Sequence, residues 1–355
     1  MIRGFIFSVV FLFLNSVQAQ YLKYSNEFLA VGVGARAAGM GNSVVSSVND
    51  VTGAYWNPAS LLNIEDKIQV SLMHNEQFAG IVKHDYAGVS FRADDKQVFA
   101  VTVIRMGVDD IPNTLNLFQN GQIDYSKLSS FSAVDYGFIG SYARDIGIPH
   151  LAIGANVKVI RRVIGSFASA WGFGFDLGAQ YTLHKYKLGL TIKDATTTFN
   201  AWSFNFSPAE KLILSQTNNK IPANSLELTA PRTIFGISRQ LSFMKDKLTI
   251  LPELNMDVTF DGKRNVLISS KYINLDPRAG IEIGYQHLVF LRGGLMNIQK
   301  VLDIDGKSSY SVMASVGAGI KINRLTIDYA LANPGGTSTV PHSNIISLKI
   351  AINKG

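Results

Sequence analysis

The sequence predicts an all-β fold: a transmembrane antiparallel β-barrel of about fourteen strands, preceded by a small N-terminal plug segment. Three observations carry this expectation. Apolar residues recur at every second position through most of the chain after residue 63. The first residues have the form of a secretory signal. After that signal no stretch reaches the roughly eighteen consecutive apolar residues of a spanning helix, although 47% of the chain is hydrophobic. An exported, apolar chain without spanning helices satisfies its backbone inside a bilayer as a closed barrel.

The alternation is cleanest over residues 171–184. Trp171, Phe173, Phe175, Leu177, Ala179, Tyr181 and Leu183 share one face, and Gly172, Gly174, Asp176, Gly178, Gln180, Thr182 and His184 share the other. A tilted barrel strand turns such an apolar face to lipid and keeps the small or polar face toward a wet interior.

From the N terminus, Arg3 precedes an apolar run from Gly4 to Leu14, and Val17 and Ala19 stand where a signal peptidase reads small residues, so residues 1–19 are expected to be a signal peptide. Residues 20–62 do not alternate. Their stretch Phe28–Gly41, rich in small residues, permits close packing, and Asn49–Leu62 reads as a short helix ended by a turn, so the segment is expected to fold back as a plug in the lumen. Residues 63–355 then form the barrel. Strands are expected at 67–75, 82–92, 96–106, 133–145, 149–164, 168–183, 185–195, 231–242, 246–260, 278–287, 288–300, 309–322, 324–332 and 342–353.

With a periplasmic start, the long connections 107–132, 196–230, 261–277, 301–308 and 333–341 all fall on the outside, and turns such as Asp94-Asp95-Lys96 and Asn323-Arg324 fall inside. Residues 264–275 alternate poorly, and a strand there would reverse this parity, so they are expected to be an extracellular excursion. The last strand carries Ile346, Leu348, Ile350 and Ile352 on one face and closes the barrel against the first. It ends in Asn-Lys-Gly rather than in an aromatic residue.

Composition narrows the function classes. Cysteine is absent, which excludes disulfides and cysteine-ligated metals. The formal charge of +7 is scattered rather than gathered in a stripe, which argues against nucleic acid and fits lipopolysaccharide or an acidic partner. Gly32, Gly34 and Gly39 lack the spacing of a phosphate loop, and Asp303-Ile304-Asp305-Gly306 lacks the later ligands of a calcium loop. Neither supports a cofactor. The six histidines, at 74, 84, 150, 184, 287 and 342, have no Gly-x-Ser-x-Gly elbow to serve.

Gly34-Ala35-Arg36-Ala37-Ala38-Gly39-Met40-Gly41, followed by Asn49-Asp50-Val51-Thr52 and Tyr55-Trp56-Asn57-Pro58-Ala59, resembles the N-terminal signature of the PorV/PorQ family of the type IX secretion system. The likeness to the PorV branch extends through 167–175, Phe199–Phe204 and Leu291–Gly294. More distantly, Asn57-Pro58-Ala59 resembles the plug motif of FadL-type fatty-acid transporters. The resemblance implies a FadL-like barrel that is not an enzyme, takes no cofactor, and works beside the type IX translocon barrel on cargo C-terminal sorting domains. It assigns the plug motif to Arg36, Gly39, Gly41, Trp56, Asn57 and Pro58. Two other functions stay open: a FadL-like channel for hydrophobic small molecules, and a lipid A deacylase with His74 or His84 at the outer rim.

Partner contact is expected of the outside loops. Phe199, Trp202, Phe204 and Phe206 make loop 196–230 more apolar than solubility requires, and loop 107–132 has the same character. The alternative is that the two loops cap the barrel by folding on each other. Arg161 and Arg162, near the outer end of the fifth strand, are a candidate clamp for a phosphate of outer-membrane lipid or lipopolysaccharide, against the alternative of a solvated rim.

Overall fold

The computed structural model describes residues 25–119, 122–217, 219–302, 308–332 and 343–354. The expected signal peptide, the turn Asp303–Gly306, loop 333–341 and His342 lie outside the described residues. Fourteen antiparallel strands close into a barrel. They are β1 Asp66–Gln77, β2 Val82–Asp94, β3 Gln97–Asn113, β4 Ser129–Asp145, β5 Leu151–Ile164 and β6 Ala168–Leu183. β7 is Tyr186–Lys193 continued by Thr198–Phe204, and β8 is Ser225–Thr229 continued by Arg232–Arg239 and Leu241–Phe243. Then follow β9 Leu248–Thr259, β10 Asn274–Tyr285, β11 Val289–Leu302, β12 Ser308–Ile322, β13 Leu325–Ala332 and β14 Ser343–Lys354.

Closure is made by β14 against β1, from Asp66 opposite Lys354 to Glu76 opposite Asn344. Among the described residues the sheet closes on itself and leaves no edge strand, as a bilayer requires of a strand structure. Side-chain parity follows the sequence. Along β6, Trp171, Phe173, Phe175 and Leu177 are exposed on the outer surface, while Gly172, Gly174, Asp176, Gly178 and Gln180 are buried toward the lumen. An apolar exterior carried by fourteen strands is an outer-membrane wall.

The rims differ as expected. Connections after even strands are short, such as residues 95–96, 184–185 and 323–324, whereas 114–128, 205–224 and 260–273 all leave the opposite rim, the outer one. Within 260–273, Ile268–Ser269 pair only with Leu275 and Asn274 at the tip of β10, so this stretch is an excursion and not a spanning strand.

Two loop boundaries are corrected. Phe199–Phe204 pairs with β6, and Phe199–Trp202 pairs with Ser225–Leu228, so the wall rises well into the stretch expected to be loop 196–230. A bulge with positive φ at Asp194 and Thr197 separates the two halves of β7. Inward positions are odd-numbered before it and even-numbered after it, which interrupts the alternation that marks a strand in sequence. In the same way β3 and β4 continue past a register shift between Val108 and Ile111 to pair Asn113 with Ser129.

Residues 25–64 fill the lumen. They contain helix α1 at Ala35–Gly39, helix α2 at Gly53–Trp56 and a 3-10 turn at Pro58–Asn63. Met40, Val44, Val45, Trp56 and Leu61 are all at most 2% exposed and form, with inward wall residues such as Ile104 and Ile234, the apolar core of the molecule. Burying each such side chain contributes about 1.5–3 kcal/mol, so the plug is part of the core.

Candidate functional site

The candidate site is the lumen around the plug. Its first determinant is glycine in the wall. A Cβ on Gly294 would lie 2.0 Å from the Gly41 nitrogen, one on Gly280 2.4 Å from the Met40 oxygen, and one on Gly154 2.4 Å from the Pro58 carbonyl carbon. Gly39 meets Gly317 in the same way, its own Cβ position lying 3.0 Å from the Gly317 Cα. Gly41 also has φ +61°, a conformation that side chains disfavour. Wall and plug therefore touch backbone to backbone.

Among the residues of the expected plug motif, Asn57 is completely buried and caps the Pro58–Asn63 turn, accepting from the Ala59 nitrogen at 3.1 Å. Its amide donates to the carbonyls of Val45 at 3.1 Å and Ala179 at 3.0 Å, so one side chain joins two plug segments to β6. Pro58 occupies the first turn, where its missing N–H costs nothing. The Trp56 indole donates to the Val33 carbonyl at 2.9 Å. Arg36 forms a two-point bond with Glu282, at 2.9 and 3.2 Å, and Glu282 also accepts from Arg292, which reaches Asp328 at 2.7 Å. Such fork-to-carboxylate pairing is stronger than a neutral hydrogen bond and fixes the geometry of both partners.

A second ionic anchor binds the plug to the last strand. Asp50 accepts from the Thr52 nitrogen at 2.9 Å, from the Thr52 hydroxyl at 2.5 Å and from the Lys349 ammonium at 3.1 Å. Burial works to raise the Asp50 carboxyl, and the Lys349 charge with the Thr52 bond and Arg36 outweigh it, holding the group at about 2.

Three cavities follow one another along β1, β13 and β14. An outer chamber of about 400 Å³ opens beneath the long loops, between Ala30, Val31, Met73, Met296, Met313 and Ile345 on its apolar side and Asp257, Asp276 and Arg278 on its polar side. An inner chamber of about 570 Å³ lies at the periplasmic turns, where Lys185, Lys187, Lys321 and Arg324 contribute positive charge. Between them, a cavity of about 20 Å³, room for one or two waters, is bounded by Gly34, Arg36, Asp50, Ser347 and Lys349. The plug thus closes the lumen at the Asp50–Lys349 pair.

The outer chamber also reaches a defect in the wall. β10 and β11 pair from Ala279–Leu295 to Tyr285–Val289, and beyond this Asp276–Arg278 have no partner on β11. Pro277 has no N–H to give. Across from it β11 is irregular, with a register shift between Met296 and Gln299 and Asn297 at φ 53°. Ile268–Ser269 cap the outer end of this seam. Asp276 and Arg278 on one side and Met296, Asn297 and Gln299 on the other all line the chamber.

No protein-family model and no curated protein sequence matches the chain. Solved structures do match. The CymD monoaromatic hydrocarbon channel superposes with a TM-score of 0.58 at 14% identity, over 91% of this chain and 98% of CymD. The Pseudomonas putida toluene transporter TodX gives 0.56 at 14% identity over 91% and 99%, and a Pseudomonas aeruginosa FadL homologue gives 0.53 at 12% identity over 89% and 97%. The fold is that of the FadL-type outer-membrane channels. Likeness at this level of identity establishes the architecture, an outer-membrane barrel with channel proteins among its neighbours.

The other residues singled out in sequence are dispersed. Arg161 and Arg162, being consecutive in β5, point to opposite faces and do not form a joint clamp. Arg161 lies outside, 5.0 Å over the Trp171 ring. Arg162 lies inside, bonded to Asp135 at 2.9 and 3.1 Å, within 3.5 Å of Glu227, and over Trp202. Phe199 faces outward beside Phe173, whereas the Trp202 indole donates inward to Glu227 at 2.6 Å. Trp202 stacks on Phe204, Phe204 on Phe206 and Phe206 on Phe167, so three of the four aromatics form one continuous stack and Phe199 stands apart from it.

His74 is on the outer surface, where it meets Asp85 at 2.6 Å and Glu76 at 3.5 Å rather than a serine. His84 faces inward, fully buried, and neither ring nitrogen has a hydrogen-bond partner. Sequence reasoning missed the chamber residues Met73, Asn75, Asp257, Asp276, Arg278, Met296 and Ser343. A signal was present, since all of these lie on the inward parity near outer strand ends.

Proposed function

We propose that this protein is a channel for small hydrophobic molecules, which enter the outer chamber from outside and leave sideways into the bilayer between β10 and β11. The observation that carries the reading is the coincidence of a largely apolar chamber with the unpaired seam at Asp276–Arg278, above a plug that closes the axial route. CymD and TodX, which share the fold, are named for monoaromatic hydrocarbon and toluene passage. Extending the β10–β11 register places Pro277 opposite Asn297. Because the chain has no cysteine, Pro277→Cys with Asn297→Cys allows the seam to be locked by a short bifunctional thiol reagent. Uptake of a hydrophobic solute by cells or vesicles is expected to fall on locking and to return when a cleavable linker is cut. Undiminished uptake through a fully cross-linked seam refutes the lateral route.

A second reading is favoured by the outer rim and by the N-terminal likeness to PorV: a type IX secretion component that holds the translocon barrel or cargo sorting domains. Helix α3, Pro208–Gln216, has no buried residue, and Leu212 and Leu226 nearby are exposed. Recovery of sorting-domain proteins with the barrel from native membranes, lost when Pro208–Gln216 is deleted, supports it; recovery unchanged by that deletion counts against it. On either reading, a lipid or lipopolysaccharide phosphate would be met by Arg161, over Trp171, rather than by Arg162, which is bonded to Asp135.

A further inference from the structure

We infer that a further cavity, between the start of the plug and the interrupted stretches of β7 and β8, is a site for one small monovalent anion of chloride size, held by Lys193 and Arg232. The cavity measures about 50 Å³, room for one such ion and a water. The β7 bulge contributes Asp194 to its lining, the β8 break contributes Ala230 and Pro231, and the plug contributes Asn26, Leu29 and Tyr55.

Lys193 and Arg232 both border this space. They stand directly opposite each other in the β7–β8 ladder, which brings their Cβ atoms to about 5 Å. Like charges so placed repel each other unless something negative lies between them. Lys193 is 5% exposed, and among the described residues it has neither an ion pair nor a hydrogen bond; its ammonium rests on the Tyr55 ring, 3.4 Å from the centroid. Arg232 makes no hydrogen bond among the described residues, and its ionic contact is with Asp257 at 3.5 Å, a carboxylate that Arg278 holds more closely at 2.9 Å. The donors of an ammonium and a guanidinium thus border one small cavity without acceptors from the protein.

The carboxylates around the cavity are committed to other cations. Asp176 and Asp194 both hold Lys158, at 2.6 and 2.5 Å, and Asp261 holds Arg264 at 2.5 Å. Asp194 follows Lys193 in sequence, but at the bulge, where its φ is 55°, it serves Lys158. Glu27, the remaining acid of the lining, is exposed and also borders the outer chamber. Water can solvate the two cations, but only an anion accepts from both and offsets their charge, and an uncompensated buried charge is costly. A sulfate, several waters in size, does not fit the space. Ala30, Arg232 and Thr259 border both this cavity and the outer chamber, so the ion exchanges with the outside through the chamber. Its place joins wall to plug, since Tyr55, beneath Lys193, holds Leu29 by donating its hydroxyl to that carbonyl at 2.5 Å.

The test uses the full-length barrel in lipid nanodiscs, exchanged into sodium gluconate and then returned to chloride or bromide. Ionic strength is held constant, which removes general screening. Opening of the plug is read from the rate at which a buried Ser43→Cys is labelled in this otherwise cysteine-free chain. Chloride at ten times its dissociation constant is expected to slow labelling about tenfold relative to gluconate. Crystals grown in bromide are expected to show an anomalous-scattering peak between Lys193 and Arg232. Lys193→Met, which replaces the charge with an apolar chain of similar length, is expected to abolish both effects, and Arg232→Gln to weaken both; barrel mobility on a gel reports that each variant is folded. The bromide peak in the unaltered protein does not depend on either variant. Absence of that peak from the cavity, equal labelling in chloride and gluconate, a chloride effect that survives Lys193→Met, or an equal effect of sulfate overturns the anion site. None of these outcomes bears on the channel reading.

Discussion

Replacement of Asp50 by Asn isolates the contribution of one ionic anchor to the closed plug. The carboxyl is held at about 2, against an ordinary value of 3.8, chiefly because the Lys349 charge and the Thr52 bond outweigh burial. That difference corresponds to about 2 kcal/mol favouring the bound carboxylate. Asp50 and Lys349 side chains are 8% and 21% exposed, so solvent screening removes little of it. Asparagine can still accept from Thr52, yet it leaves the Lys349 ammonium beside a neutral amide. Opening of the plug should become roughly thirtyfold more frequent, the population change that 2 kcal/mol implies.

The absence of cysteine makes the assay direct. Ser43, 0% exposed and with an unpartnered hydroxyl, is replaced by Cys as a buried reporter, and its labelling by a small thiol reagent is timed with and without Asp50→Asn. The expected result is labelling about thirtyfold faster with no change in barrel mobility on a gel. An unchanged rate refutes the anchoring role, and equally fast labelling of a lipid-face control position would show that the whole barrel had loosened instead. The pH dependence has a definite sign. A depressed carboxyl stabilises fully above 3.8 and loses its effect as pH falls from 3.8 toward 2, so the plug is expected to stay closed at neutral pH and to loosen only in strong acid.

Gly294→Val should expel the plug from its seat, because the added Cβ would fall 2.0 Å from the Gly41 nitrogen and 2.2 Å from the Met40 carbonyl carbon, both backbone atoms that cannot rotate away. Higher conductance in planar bilayers, with the barrel still folded, is the expected outcome. Arg162→Ala leaves Asp135 and Glu227 without their common partner and should lower stability by about 1–3 kcal/mol in a urea titration. Arg161→Ala, removing an outward side chain over Trp171, should stay within about 0.5 kcal/mol.

The wall was legible because a barrel strand writes its two environments into alternate residues. β6 shows this from Trp171 to Leu183 without a break, and its exposure pattern follows residue by residue. Rim polarity was legible too, since loop lengths needed no side-chain detail. The upper parts of β7 and β8 were not, because the bulge at Asp194–Thr197 and the break at Ala230–Pro231 each shift the inward parity by one and disguise strand as apolar loop. The pairing of Arg161 with Arg162 as a clamp ignored the same period-two rule. The chamber was missed for a different reason: inward parity marked its residues one by one but did not group them. Met73, Asn75, Asp276, Met296 and Ser343 come from four strands far apart in sequence, and what unites them is the cross-section of the closed ring, which appears only with three-dimensional register. Asn57 was flagged through a three-residue motif, but its bridge to Ala179 is a contact across 122 positions.

The plug ends at Ile64, and β1 begins at Asp66, the strand whose free side is sealed by Lys354 at the far end of the chain. The ring therefore cannot shut until β14 is present, whereas the material it must enclose precedes β1 in the chain. A seat of bare backbone at Gly280, Gly294 and Gly317 admits no late threading past side chains. Assembly is thus bound to a sequence in time: the lining gathers around an insert already in place, and the final hydrogen-bonded zip between the two termini traps it. The long separation of those partners makes their pairing costly in loop-closure entropy.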